Sequence, residues 1–287
     1  MLRIGLSFLM CVFTLFSSAQ TGRFYQDVFT TFFTNTALVN PSYVPEIGKV
    51  NLTATHKFRR GLLGDISTFS ASGEKVWRSQ ESYTHVGRLI FVNEKEGKYI
   101  SSPKAYANYA LRINLSEETS LMSGIALGVS GINYSAPSGA SSIMLPDGGI
   151  GIGLKHKKIH VGFSSLQVLN TSGTVITSKV RLQRYFNLNF TGEKAISPSI
   201  SLKSHFLWRG LPYLSDQYIA AFSFVYKDMF EAGSLYFYPR GLSYFTLITL
   251  DTESNALQIN LTYNSAALSI NPVMGDSYEV GLRYCLK

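Results

Sequence analysis

From Gly48 to the C-terminus, apolar and polar residues alternate with a period of two. Leu257, Ile259, Leu261 and Tyr263 share one parity, and Gln258, Asn260 and Thr262 the other. Tyr278, Val280, Leu282, Tyr284 and Leu286 oppose Glu279, Gly281, Arg283 and Cys285. At the start of the run Val50, Leu52, Ala54 and Phe58 oppose Asn51, Thr53, Thr55 and Lys57. Such alternation places one set on each face of a β-strand. About fourteen segments of this kind follow one another, near 49–59, 66–76, 83–93, 104–115, 120–134, 148–156, 159–168, 181–192, 197–207, 216–227, 230–239, 242–250, 256–264 and 277–286. Short turns separate most of them, and longer connections are expected at 135–147 and 207–216. A transmembrane strand needs roughly 9–11 residues, so every segment has room to cross a bilayer.

The chemistry of the two parities separates a soluble sandwich from a membrane barrel. A sandwich turns a charge-rich face to water. Here the polar parity is mostly Asn, Ser, Thr, Gln and Gly with isolated charges. Tyrosines gather toward segment ends, at Tyr83, Tyr106, Tyr109, Tyr134, Tyr185, Tyr218, Tyr226, Tyr236, Tyr238, Tyr244 and Tyr263. The pattern predicts lipid-facing strands with aromatic girdles and a polar lumen. The fold class is therefore all-β, an antiparallel transmembrane β-barrel of about fourteen strands. Residues 24–46 break the alternation. Val28/Phe32 and Phe29/Phe33 are i,i+4 pairs, and Asn40-Pro41 stops a helix. A short apolar helix or hook, acting as a plug or a docking element, is expected before the first strand.

Residues 1–19 read as a signal peptide. Arg3 is the basic head, Ile4 to Phe16 the apolar core, and Ser17-Ser18-Ala19 the small residues before a cut. The apolar run is too short for a membrane-spanning helix. The division is thus a signal peptide at 1–19, a plug segment at 20–47 and a barrel at 48–287. Cleavage after Ala19 removes Cys11 and leaves Cys285, so no internal disulfide is available.

Charged residues are 15% of the 287, against roughly 25% in a typical soluble domain. The net charge of +8 is scattered rather than clustered, which speaks against nucleic acid as a partner.

The stretch from Tyr25-Gln26-Asp27 to Phe32-Phe33-Thr34-Asn35, followed by Val39-Asn40-Pro41-Ser42-Tyr43, resembles the opening of the PorP/SprF family. The first strand ends in His56-Lys57-Phe58-Arg59-Arg60. Tyr106-Ala107-Asn108-Tyr109-Ala110, Pro198-Ser199-Ile200 and Tyr278-Glu279-Val280 resemble later family segments in the same order. Ser42 stands where the family usually has Ala, and Val44-Pro45 replaces its usual Gly. The resemblance implies a non-enzymatic bacterial outer-membrane component of the type IX secretion and gliding machinery. It implies partnership with the C-terminal domain of a large secreted adhesin, to export or anchor it. The alternatives are a core component linked to periplasmic ring and peptidoglycan-binding subunits, or a passive channel. The motif residues singled out are Phe32, Phe33, Asn40, Pro41 and Tyr43.

The residues themselves offer little catalytic chemistry. Gly149, Gly151 and Gly153 form a G-x-G-x-G run whose spacing is not that of a dinucleotide fold. It reads instead as a strand that lets a plug or neighbour come close. His156 and His160 stand i,i+4, but in a strand-turn-strand beside Lys155, Lys157 and Lys158. They read as a basic hairpin tip suited to anionic outer-membrane lipid rather than a metal pair. No G-x-S-x-G elbow is present, and Cys285 lacks an evident base. No cofactor and no metal site are expected. Arg59, Arg60, Glu279 and Arg283 fall near the seam between first and last strands, with the lumen parity carrying Glu279 and Arg283. They are candidates for contact with the lumen, the plug or a partner.

Overall fold

The computed structural model describes residues 22–46, 48–60, 64–79, 82–137, 139–265 and 275–287. The expected signal peptide lies outside them. β1 (Gly22–Phe24) and a 3₁₀ helix (Phe32–Leu38) precede a run of long strands. These are β2 (Val50–Arg59), β3 (Ile66–Ser79), β4 (Tyr83–Glu96), β5 (Ile100–Asn114), β6 (Thr119–Ala136), β7 (Gly139–His156) and β8 (Ile159–Leu166). A short hairpin follows, β9 (Ser172–Val175) and β10 (Ser178–Leu182). The chain then returns to long strands, β11 (Tyr185–Ser197), β12 (Ile200–Gly210), β13 (Gln217–Tyr226), β14 (Phe230–Tyr238), β15 (Gly241–Asp251), β16 (Asn255–Asn264) and β17 (Ser277–Leu286).

Fourteen strands, β2–β8 and β11–β17, close into an antiparallel barrel. β17 pairs with β2 from Ser277↔Arg59 to Leu286↔Val50, so the last strand meets the first and no sheet edge is left at the seam. The fourteen segments of alternating sequence are the fourteen barrel strands. The alternation is visible in exposure too: Leu52, Leu89, Ile152, Phe222, Phe224 and Leu282 point outward while Asn51, Arg88, Gly151, Ser223 and Gly281 do not. Outward Tyr83, Tyr109, Tyr218, Tyr226, Tyr236, Tyr238, Tyr244 and Tyr263 fit the expected girdles.

Three expectations need correction. Residues 139–147 are strand, not a long connection: β6 and β7 are each 18 residues and pair up to Ala136↔Gly139. Pro146 and the Gly pair after it read as loop, yet β6 alone supplies a full ladder on one side. Second, Arg181 and Leu182 belong to β10, and β11 begins at Tyr185. β1, β10 and β9 form a separate three-stranded sheet. It packs through Phe24, Val175 and Val180 on Ile132, Tyr134 and Ile143. Third, Tyr106, Tyr134 and Tyr185 face inward and are not part of a girdle. Tyr106 donates to Asp147 at 2.6 Å, and Tyr185 is 1% exposed beneath Arg209 and Tyr25.

The two barrel ends differ. Residues 157–158, 198–199, 227–229 and 252–254 make tight turns at the end shared with Val50 and Leu286. The opposite end carries the longer connections at 60–65, 167–184, 211–216 and 265–276. No helix among the described residues is long and apolar enough to cross a membrane.

Candidate functional site

The N-terminal segment runs through the lumen. It starts at the long-connection end, where β1 pairs with β10, and leaves at the short-turn end, where Glu46 meets Lys155 at 2.6 Å and Arg112 at 3.6 Å. It is only partly helical. The 3₁₀ turn begins at Phe32 and breaks at Asn35 (φ −141°, ψ 66°), so Val28 and Phe29 precede it and the i,i+4 pairing is not formed. Phe32 and Phe33 instead meet edge to face at 5.6 Å.

Three layers hold the plug, and each joins a wall of different chemistry. The top layer is ionic. Asp27 pairs with Lys57 at 2.6 Å and with Arg240, in the β14–β15 turn, at 2.7 Å. Burial alone would raise the Asp27 carboxyl; the two cations outweigh it and hold it well below the usual carboxylate range. The Asp27 amide donates to Glu94, which pairs with Lys104 at 2.7 Å. Arg209 donates to the Gln26 carbonyl at 2.6 Å.

In the second layer Glu279, fully buried, accepts from the amide and hydroxyl of Thr30 at 2.8 and 2.5 Å and from those of Thr31 at 3.3 Å each. Lys57, its register partner on β2, lies on the same inward face. Beside it the lumen wall is apolar. Leu207, Ile219, Ala221, Leu235, Phe237, Phe245 and Leu247 pack against Val28, Phe32 and Val39, with Phe33 stacked on His205 at 3.9 Å. The polar lumen expected from the sequence is thus half apolar, because β13–β15 carry apolar residues on both parities.

The third layer is a glycine cradle around Asn40-Pro41-Ser42-Tyr43. Asn40 and Ser42 are fully buried. Asn40 Oδ1 accepts from the Ser42 amide at 3.0 Å and hydroxyl at 2.8 Å, an Asx-type turn. Its Nδ2 donates to Asn189 at 3.0 Å and to the Ile152 carbonyl at 3.2 Å. Asn108 donates to the Pro41 carbonyl at 3.1 Å, and Arg88 to that of Tyr43 at 3.0 Å. A Cβ on Gly151 or Gly162 would collide with the Asn40 amide, and one on Gly124 with the Pro41 carbonyl. A Cβ on Gly149 would meet the Leu166 side chain at 2.6 Å and the Pro41 ring at 3.4 Å, and one on Gly153 would lie 3.2 Å from His160 and 3.3 Å from the Ser42 hydroxyl. Gly151, at the centre of the G-x-G-x-G run, thus has a physical cause: the Asn40 amide and the Ser42 backbone stand where its side chain would be. The sequence shows the glycines and the Asn-Pro motif separately; their contact is long-range and had no local signal.

Arg283 faces Tyr43 and lies 3.7 Å from Glu74. Arg60 covers the Tyr278 ring at 5.0 Å, and Arg59 ends β2 on the inward parity. Thus Glu279 and Arg283 both meet the plug, at different depths, and not each other. His160 points inward toward Tyr43, whereas His156 bonds Thr119 on the outside; they share no site. No group of metal-binding side chains occurs among the described residues. Two cavities between plug and wall hold about 10 and 30 Å³, room for a water or two.

A closed fourteen-stranded barrel with a lipid-type exterior and a plug held from end to end defines a plugged outer-membrane-type barrel. The profile of the type IX secretion system membrane protein PorP/SprF matches residues 22–284, nearly the whole chain, and the chain belongs to that family. Its place is accordingly the bacterial outer membrane. No curated protein sequence matches it. Among solved structures it is similar to the CymD monoaromatic hydrocarbon channel (TM-score 0.59, 11% identity, 86% of this chain and 91% of that one). It is also similar to the Ralstonia pickettii toluene transporter TbuX (0.57, 8%, 92% and 94%) and to a Pseudomonas aeruginosa FadL homologue (0.54, 9%, 82% and 89%). At these identities the likeness is one of fold.

Proposed function

We propose that this chain is a non-enzymatic component of type IX secretion that binds a cognate large surface protein through that protein's C-terminal domain, and so helps export or anchor it. The observation that carries this reading is the filled lumen. A plug bonded to the wall at the levels of Asp27, Glu279 and Asn40 leaves, among the described residues, cavities of only about 10 and 30 Å³ beside it. A barrel closed in this way serves by what docks on it rather than by what passes through it. Family membership supplies the secretion context. A core role, coupling to periplasmic ring or peptidoglycan-binding subunits, is the alternative within the family.

The test is a gene deletion followed by a surface proteome, with affinity capture of the tagged protein from solubilised outer membrane. Loss of one large secreted protein from the surface, and its recovery on the tag, is the expected result. Recovery of ring components with the surface proteome uniformly depleted assigns the core role. An unaltered surface proteome together with a steady bilayer conductance of the wild-type protein overturns both in favour of a channel, the activity named for the structural neighbours.

A further inference from the structure

Among the described residues, β7 leaves an open sheet edge at the barrel rim. β7 is 18 residues long and β8 only 8. β8 pairs with β7 from His156↔Ile159 to Gly149↔Leu166 and then turns inward. Above that point, among the described residues, no strand pairs with the outer side of β7, while β6 pairs with its other side through Ala136↔Gly139. The small β1–β10–β9 sheet lies beside this stretch on the inner face of the hairpin, where a Cβ on Gly173 would meet Ile143 and Leu145 and the Ile176 amide donates to the Ser141 hydroxyl at 3.2 Å; it forms no backbone ladder with β7.

The phase of the open edge can be read from its lower end. The Gly148 carbonyl accepts from the Val168 amide at 3.0 Å, and that of Pro146 from the Thr171 hydroxyl at 2.8 Å. Strand alternation therefore turns the backbone groups of Ala140, Ser142 and Met144 to the same side. Ala140, Ser142 and Met144 are exposed, and none is a charged guard of the kind that protects natural edges. The surroundings are basic. Between Pro137 and Gly192 the sole carboxylate in the sequence is Asp147, buried and bonded to Tyr106 and Ser130. Arg184 is exposed and bonded to the Val168 carbonyl at the foot of the notch.

We propose that this edge is the docking site for the secreted partner: an extended, acidic segment of it adds as a strand to β7 alongside Ala140–Met144, with a carboxylate toward Arg184. Backbone pairing would supply the affinity and the cation the choice of partner. Short turns mark the periplasmic end of such barrels and long connections the outer end, so the notch opens at the cell surface. The inference rests on the partner-binding reading above.

The test places a photocrosslinking amino acid at Ser142, or at Ser234 on the outer wall of β14 as control, in otherwise native cells. The adduct expected from position 142 maps to an acidic stretch of the same secreted protein that is lost from the surface on gene deletion. Ser142→Pro removes an edge-facing amide, as Pro146 already does in the same phase without breaking the β6 ladder. Retention of that protein should fall about tenfold, the size of one lost charge-free hydrogen bond or slightly more. Met144→Lys, an edge guard that deletes no backbone group, should act the same way if the proline variant fails to assemble. An adduct with a second copy of this chain, an adduct with lipid, or unchanged retention in both folded variants overturns the edge proposal. If gene deletion itself leaves the surface proteome intact, it is the functional reading that fails.

Discussion

Asn40 uses both ends of its amide, and both are buried. Oδ1 shapes the turn and Nδ2 fastens it to β7 and β11. Asn40→Ala should cost about 2–4 kcal/mol, since it strands buried donors and acceptors. The midpoint of heat-induced barrel opening on semi-native gels reads this. Gly151→Ala drives a methyl into the same amide and should cost about 1–3 kcal/mol. Because the truncated side chain vacates that space, the double variant should lose less than the sum of the two. Asp27 gives a pH signature. Its folded pKa is depressed, so its stabilisation is complete above the unfolded value of about 3.9 and is lost only as pH falls below that. Protease protection of the plug should therefore hold from neutral pH down to about 4 and weaken beneath it. Asp27→Asn should loosen the plug from neutral pH down to about 4, and its difference from the wild type should shrink beneath that.

At the scale of elements, the period of two in the sequence was enough to place all fourteen barrel strands, because each strand has lipid on one side. It failed where that condition lapses. Above the membrane β6 and β7 have water on one face and the small sheet on the other, and their Ser- and Gly-rich sequence mimics a loop. On β13–β15 the plug is as apolar as lipid, so Ile219 and Phe222 look alike in sequence though one faces in and the other out. The candidate site was legible in pieces. Asn40, Pro41 and the glycine run stood out, but Asp27, Thr30 and Arg240 carried no local pattern, since their partners are remote in sequence. The Glu279 layer predicts a separable element: Glu279→Gln should leave the barrel folded yet raise cleavage of residues 24–46 by added protease, because an amide offers one acceptor where the carboxylate offered two.

For the whole molecule, a segment held at three levels in the lumen predicts a closed pore. The purified protein should show near-zero steady conductance in planar bilayers. Deletion of residues 24–46 should keep the heat-modifiable barrel and produce large open events. Equal conductance with and without the segment would mean that it does not seal the lumen in the membrane. The plug also touches both sides of the seam: Lys57 of β2 holds Asp27 and the Val28 carbonyl, while Glu279 and Arg283 of β17 hold Thr30, Thr31 and Tyr43. Before β17 meets β2, these are the two ends of an unfinished sheet. A segment that grips both works then as a splint, drawing together edges that are some 220 residues apart along the chain. A chain with a weakened plug should therefore lose yield of assembled barrel before it leaks.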